Sequence, residues 1–175
     1  MFKTILCPVD GSAHGERALE VAIDMAKRYG ASLVIVHCLL RNADSAALQH
    51  FAETEGLAPH IGPEVKRLRD MDDRLQIQPL PSYEDTAISS RALVEIGQHL
   101  LDDAKLKAEE NGCHKVEAIL TDGDPADQIL RGIDAHKADC VVMGSRGLGD
   151  IKAVLLGSVS HKVINHSPCT CILVR

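Results

Sequence analysis

A chain of 175 residues can bury about 70% of its unfolded surface around one core without cross-links. With 45% hydrophobic and 25% charged residues it is an ordinary globular composition, neither disordered nor fibrous. Acidic residues outnumber basic ones 25 to 19 for a net charge of −6, and no Trp, two Tyr and two Phe leave few rings to stack on bases, so partners of nucleic-acid or anionic-membrane type are not expected.

Residues 4–9 form a short apolar run followed by Asp10-Gly11-Ser12, after which Leu19, Ala22, Ile23 and Ala26 recur at helical spacing until Gly30. Ser12 has the chemistry of an N-cap and Gly30 that of a left-handed stop. Residues 32–38 (Ser-Leu-Val-Ile-Val-His-Cys) are nearly continuous apolar sequence, as in a strand covered on both faces, and complete a strand–helix–strand unit. From about residue 41 to about residue 84 the pattern becomes mixed and polar, broken by Pro59, Gly62, Pro63, Pro79 and Pro81. This reads as an insertion between the second strand and the second core helix of a single domain. Val65, Leu68 and Leu75 predict a helix over roughly 64–76, with the mixed charges of Lys66 to Arg74 on its solvated face.

Ile88, Ala92, Ile96, Leu100 and Ala104 mark a long amphipathic helix ending at Asn111-Gly112. Residues 116–120 are a third strand. Asp124 and Pro125, an N-cap followed by proline at the first helical position, start a helix that runs to about His136. Residues 140–143 are a fourth, wholly apolar strand opening into Gly144-Ser145-Arg146-Gly147-Leu148-Gly149. A helix from about Ser158 to about Asn165, then Pro168 and a last strand over 169–174, complete the chain. Five strands alternating with four principal helices predict an α/β fold, a doubly wound five-stranded parallel sheet with helices on both faces.

Ligands of such sheets sit outside the carboxyl ends of the strands, where strand order reverses. The loop Pro8-Val9-Asp10-Gly11 and the glycine-rich segment from Gly144 to Ser158 both belong there. Glycines admit close approach to phosphate oxygens, and helix-start amides near Ser158 supply donors. Arg146 adds a charged fork, and an ionised Asp10, acceptor only, suits ribose hydroxyls. Taken alone, either glycine pair reads as a turn without a ligand: the third glycine of a dinucleotide fingerprint and the G-K-[ST] of a P-loop are both missing.

The full spacing Gly144-x2-Gly147-x9-Gly157-Ser158 resembles the ATP-binding signature of the universal stress protein family. Ile5-Leu6-Cys7-Pro8-Val9-Asp10-Gly11-Ser12 resembles that family's first strand and adenine loop, and Val34-Ile35-Val36-His37-Cys38 its second strand. Gly123-Asp124-Pro125 and Ser167-Pro168-Cys169-Thr170-Cys171-Ile172-Leu173-Val174 resemble its later turn and closing strand. The resemblance covers about residues 1–40 and 85–175; the central insertion departs from it. It implies an adenine-nucleotide α-hydrolase-like Rossmannoid fold. It also implies that Asp10 and Gly144 contact ribose, that Pro8, Val9 and Cys38 line adenine, and that Arg146, Gly147, Gly157, Ser158 and Val159 surround the phosphates. The cofactor implied is ATP, or ADP or AMP, with any Mg²⁺ held by phosphates and water. A homodimer paired through the closing strand, acting on a protein partner the sequence does not name, is the implied assembly.

The opening residues lack the charged leader and cleavage site of an export signal, and apolar runs fall far short of the roughly 20 residues of a membrane helix. Six cysteines with no C-x-x-C pair read as reduced, mostly buried thiols, so a cytoplasmic location is expected. No catalytic or protein-held metal site is expected. His37 reads as a hydrogen-bonded strand residue, His14 as a surface residue near the phosphate end, and Asp122 and Asp124 as turn and cap. The expected role is a nucleotide-dependent sensor or regulator of a stress response; the alternative is a slow ATPase or phosphotransferase using the same pocket, with His14 as its candidate residue.

Overall fold

The computed structural model describes residues 1–39, 83–147 and 156–175, with the side chains of the long helix described from Leu93 onward. The elements are β1 (Thr4–Pro8), α1 (Ala13–Tyr29), β2 (Ser32–Cys38), α2 (Tyr83–Glu110), β3 (Val116–Thr121), α3 (Pro125–His136), β4 (Cys140–Gly144), α4 (Ser158–His166) and β5 (Thr170–Val174). The helix expected over 64–76, its charged face and the glycine at 149 lie outside the described residues. The chain divides into a unit of 1–39 with 99–175, which contains the whole sheet, and a second unit of 40–98.

The strands form one parallel sheet in the order β3-β2-β1-β4-β5. Ile5 pairs with Leu33 on one side of β1 and with Cys140 on the other, so the chain winds outward in both directions from β1 and β4. The carboxyl ends of those two strands are therefore the topological switch point.

Strand alternation assigns the two faces. Leu6, Val34, Val36, Val141 and Met143 pack in one core cluster with Ala126, Ile129 and Ile133 of α3 and Val163 of α4. Gly132 lets α3 lie close to β1, since a β-carbon there would stand 3.0 Å from Leu6 Cδ1. The alternate residues face α1, and the part of α2 from His99 onward packs by α1, where Lys107 reaches Glu16 at 3.3 Å and Glu20 at 3.0 Å. Burying a side chain such as Leu6 or Ile133 contributes about 1.5–3 kcal/mol each.

Local sequence dictates the helix ends. Ser12 caps α1 by accepting from the Gly15 amide, and Gly30 closes it at φ 63°, a left-handed conformation that costs glycine little. Asp124 caps α3 through the Asp127 amide, with Pro125 in the first turn. All six cysteines are free; Cys7, Cys113 and Cys140 are buried, whereas Cys38, Cys169 and Cys171 are only partly so, fewer buried thiols than the apolar runs predict. Burial pushes the Cys140 thiol up to about 12. Among the described residues no helix is long and apolar enough to cross a membrane.

Candidate functional site

The loop after β1 is fixed by short polar contacts. Val9 donates its amide to Val36 O at 2.9 Å, which carries the β1–β2 ladder one residue past the strand. Asp10 Oδ1 accepts from the Ser12 amide at 3.0 Å and from the Ser12 hydroxyl at 2.6 Å. Ser12 Oγ in turn accepts from the Gly15 amide at 3.1 Å, so one serine links the carboxylate to the start of α1. A β-carbon on Gly15 would lie 2.8 Å from Asp10 Oδ1, which is why only glycine lets the helix start so near the carboxylate.

The loop after β4 faces it across the switch point. Oδ2 of Asp10 lies against the α-carbon of Gly147, on the side where any other residue carries its β-carbon. Gly144 lies equally close to α1: a β-carbon there would stand 2.9 Å from His14 C and Cβ and 3.0 Å from Arg146 O. Two sequence-distant glycines thus let the β4 loop lie against Asp10 and His14.

The start of α4 is docked on the same loop. The Gly157 amide donates to Ser145 O at 2.8 Å, and the Ser160 hydroxyl donates to Gly144 O at 3.2 Å and Ser145 O at 3.1 Å. Gly157 stands at the N-cap with no side-chain hydrogen bond, and the first turn holds no acidic residue. Among the described residues no side chain caps the amides of that turn, which lie at a positive dipole end. The Ser145 hydroxyl and Arg146 Nε are buried atoms with no hydrogen-bond partner among the described residues. Buried donors are normally satisfied, so these two, in the loop that ends β4, fit a ligand rich in acceptor oxygens.

Of the residues singled out from sequence, Asp10, Gly144, Arg146, Gly147 and Gly157 come together at the carboxyl ends of β1 and β4, Pro8 and Val9 end β1, and Ser158 and Val159 form the first turn of α4. The Val159 side chain packs against the core cluster. Cys38 lies on the β3 side, where its thiol donates to Gly123 O at 3.2 Å and burial raises its pKa. His37 is wholly buried, with Nδ1 2.8 Å from Val9 O. Asp124 is the cap of α3, tied to Lys162 of α4 at 3.1 Å. His161 lies inside α4. Ser145 and Ser160 were not legible as site residues. Each is a polar residue among others until the packing of α4 brings the Ser160 hydroxyl to the Ser145 carbonyl.

Together these features define a doubly wound α/β protein whose β1 and β4 loops meet through close-packed glycines at its topological switch point. The description that matches the chain over residues 1–175 is that of the universal stress protein family, and the chain belongs to that family. It is 33% identical over 178 residues to a universal stress protein of Thermus aquaticus encoded beside a sulfhydrylase, covering 100% of both chains. It is 31% identical to universal stress protein YxiE of Bacillus subtilis, again covering 100% of both. Among solved structures, universal stress protein UspA from Lactobacillus plantarum superposes with a TM-score of 0.69 at 18% identity, covering 99% of this chain and 97% of that one. A family protein from Arabidopsis thaliana with AMP bound gives 0.57 at 20% identity, covering 98% and 90%. One from Archaeoglobus fulgidus in complex with dAMP gives 0.55 at 18%, covering 100% and 98%.

Proposed function

We propose that this protein binds an adenine nucleotide, ATP foremost, in the crevice between the β1 and β4 loops, and acts as a cytoplasmic regulator rather than as a metabolic enzyme. The observation that carries the reading is the apposition of Asp10 and Gly147. It sets an acceptor-only carboxylate against the glycine-rich loop that ends β4, which also carries the start of α4 and an Arg146 Nε that has no partner among the described residues. Acceptors at one end and donors at the other match ribose hydroxyls and phosphate oxygens respectively. The AMP and dAMP carried by relatives of the same fold support the choice of adenine nucleotides.

In this reading Oδ2 of Asp10 accepts from a ribose hydroxyl while Oδ1 stays engaged with Ser12. Gly144 and Gly147 give the nucleotide backbone room. The amides of Ser158 and Val159, the Ser158 hydroxyl and Arg146 receive the phosphates, and any Mg²⁺ is held by phosphates and water. The dimer is formed by pairing β5, an edge strand whose Leu173 is 37% exposed, with its twofold mate.

The test is ATP affinity in Asp10→Ala and Arg146→Ala. Both should bind at least about tenfold more weakly, the equivalent of about 1.4 kcal/mol. Unchanged affinity in both overturns the placement. The position of His14 against Gly144 favours a second reading, a slow ATPase or phosphotransferase. Phosphate release by the parent protein that His14→Ala abolishes while retaining ATP binding would select it.

A further inference from the structure

His37 occupies the fifth position of a buried run on β2, where the neighbours Leu33, Val34, Ile35 and Val36 are all apolar. Packing alone favours another apolar residue there, because a buried imidazole must satisfy two polar nitrogens. Only one is satisfied. A carbonyl accepts and cannot donate, so the 2.8 Å contact to Val9 O assigns the proton to Nδ1. Nε2 is then a buried acceptor without a partner among the described residues.

The satisfied nitrogen acts on one atom. Val9 is 4% exposed, so without His37 its carbonyl would be a buried, unpaired acceptor just past the end of β1. With it, the amide and carbonyl of Val9 are tied to the consecutive residues Val36 and His37. The next residue is Asp10, whose carboxylate is held from the other side by Ser12. The carboxylate is thus fixed from both flanks, by β2 through Val9 and by α1 through Ser12.

We infer that His37 is a positioning residue for the nucleotide crevice: it directs Asp10 toward the β4 loop by holding the Val9 carbonyl, without touching the nucleotide itself. The inference rests on the nucleotide reading above and adds to it the residue that sets the geometry of its acceptor.

Calorimetric titration of ATP into the full chain, with thermal unfolding in parallel, tests it. His37→Leu removes the donor at similar volume and should weaken ATP binding by about tenfold or more. His37→Asn places an amide donor where Nδ1 stood and should restore affinity to within about threefold of the parent. Ile133→Ala, in the α3 core, should lower the unfolding temperature yet leave affinity unchanged, which separates positioning from general stability.

Parent-like affinity in His37→Leu overturns the inference alone, as does a loss in Ile133→Ala that tracks stability equally. Absence of ATP binding by the parent overturns the nucleotide reading and the inference with it. Should His37→Leu not fold, the imidazole ¹⁵N spectrum of the intact protein decides. Because coupling is reciprocal, saturation with ATP should shift the Nδ1 resonance, and an unmoved resonance contradicts positioning.

Discussion

Gly147 carries no β-carbon at the one place where Asp10 Oδ2 would collide with it. The two residues stand far apart in sequence and belong to the loops that end β1 and β4. Their contact joins the two loops at the switch point. Gly144 makes the matching approach to α1, and there the obstacle is His14 backbone, which cannot turn aside as a flexible side chain would. Gly144→Ala should therefore destabilise the fold by about 1–3 kcal/mol, as overpacking does, and the shift is read from urea midpoints.

Ser12→Ala removes two functions at once. The α1 cap is lost, at about 1 kcal/mol of stability, and Asp10 Oδ1 loses its hydroxyl partner. Urea denaturation should report the first effect and ATP titration a weaker Kd for the second. A stability loss with unchanged affinity would mean that the Ser12 amide alone orients the carboxylate.

Features that depend on neighbouring residues were legible in the sequence. The Ser12 and Asp124 caps, the Gly30 stop and the continuous apolar run of β2 stand in the structure as local chemistry dictates. Ends shift by a residue or two where tertiary bonds intervene. β1 stops at Pro8, yet Val9 still pairs with Val36, and β5 begins at Thr170 because the Cys169 amide turns to the Ser167 hydroxyl. The sequence names candidate site residues but not how they are arranged. Asp10 against Gly147, His37 under Val9 and Ser160 on the β4 loop all follow from strand order and register, which no local pattern encodes. Cys38 illustrates the limit: it sits at the expected strand end, yet its thiol bonds toward Gly123.

Burial lowers the His37 pKa below its ordinary 6.5, against the opposing pull of the Val9 hydrogen bond and the Asp10 charge. Below that pH the unfolded chain takes up a proton that the native imidazole refuses. The stability associated with neutral His37 is thus full above pH 6.5 and is lost as the pH falls through the lower native value. Asp124 acts in the same direction at more acid pH, since its hydrogen bond from the Asp127 amide, with help from Lys162, holds its carboxyl below 3.8. Urea midpoints measured from about pH 8 to about pH 4 should fall less steeply below neutrality in His37→Asn than in the parent. Parallel slopes would contradict the role of His37.

Ile172 lies at the centre of β5, paired with Val142 on one side and at the sheet edge on the other. Thr170 N–H and Val174 O both face β4, so by strand alternation the Leu173 N–H faces the edge. Under the proposed β5 pairing the parent should sediment as a dimer, and Leu173→Pro, which removes that edge donor, should yield monomer or insoluble protein. A parent that sediments as a monomer, or an unchanged dimer in the variant, would contradict pairing through this strand.

The central claim is that the crevice between β1 and β4 takes an adenine nucleotide. Calorimetric titration of ATP into the freshly purified parent, stripped of nucleotide and with Mg²⁺ present, tests it most directly. Saturable binding at one site per chain is the expected result. No heat of binding at millimolar ATP would contradict it.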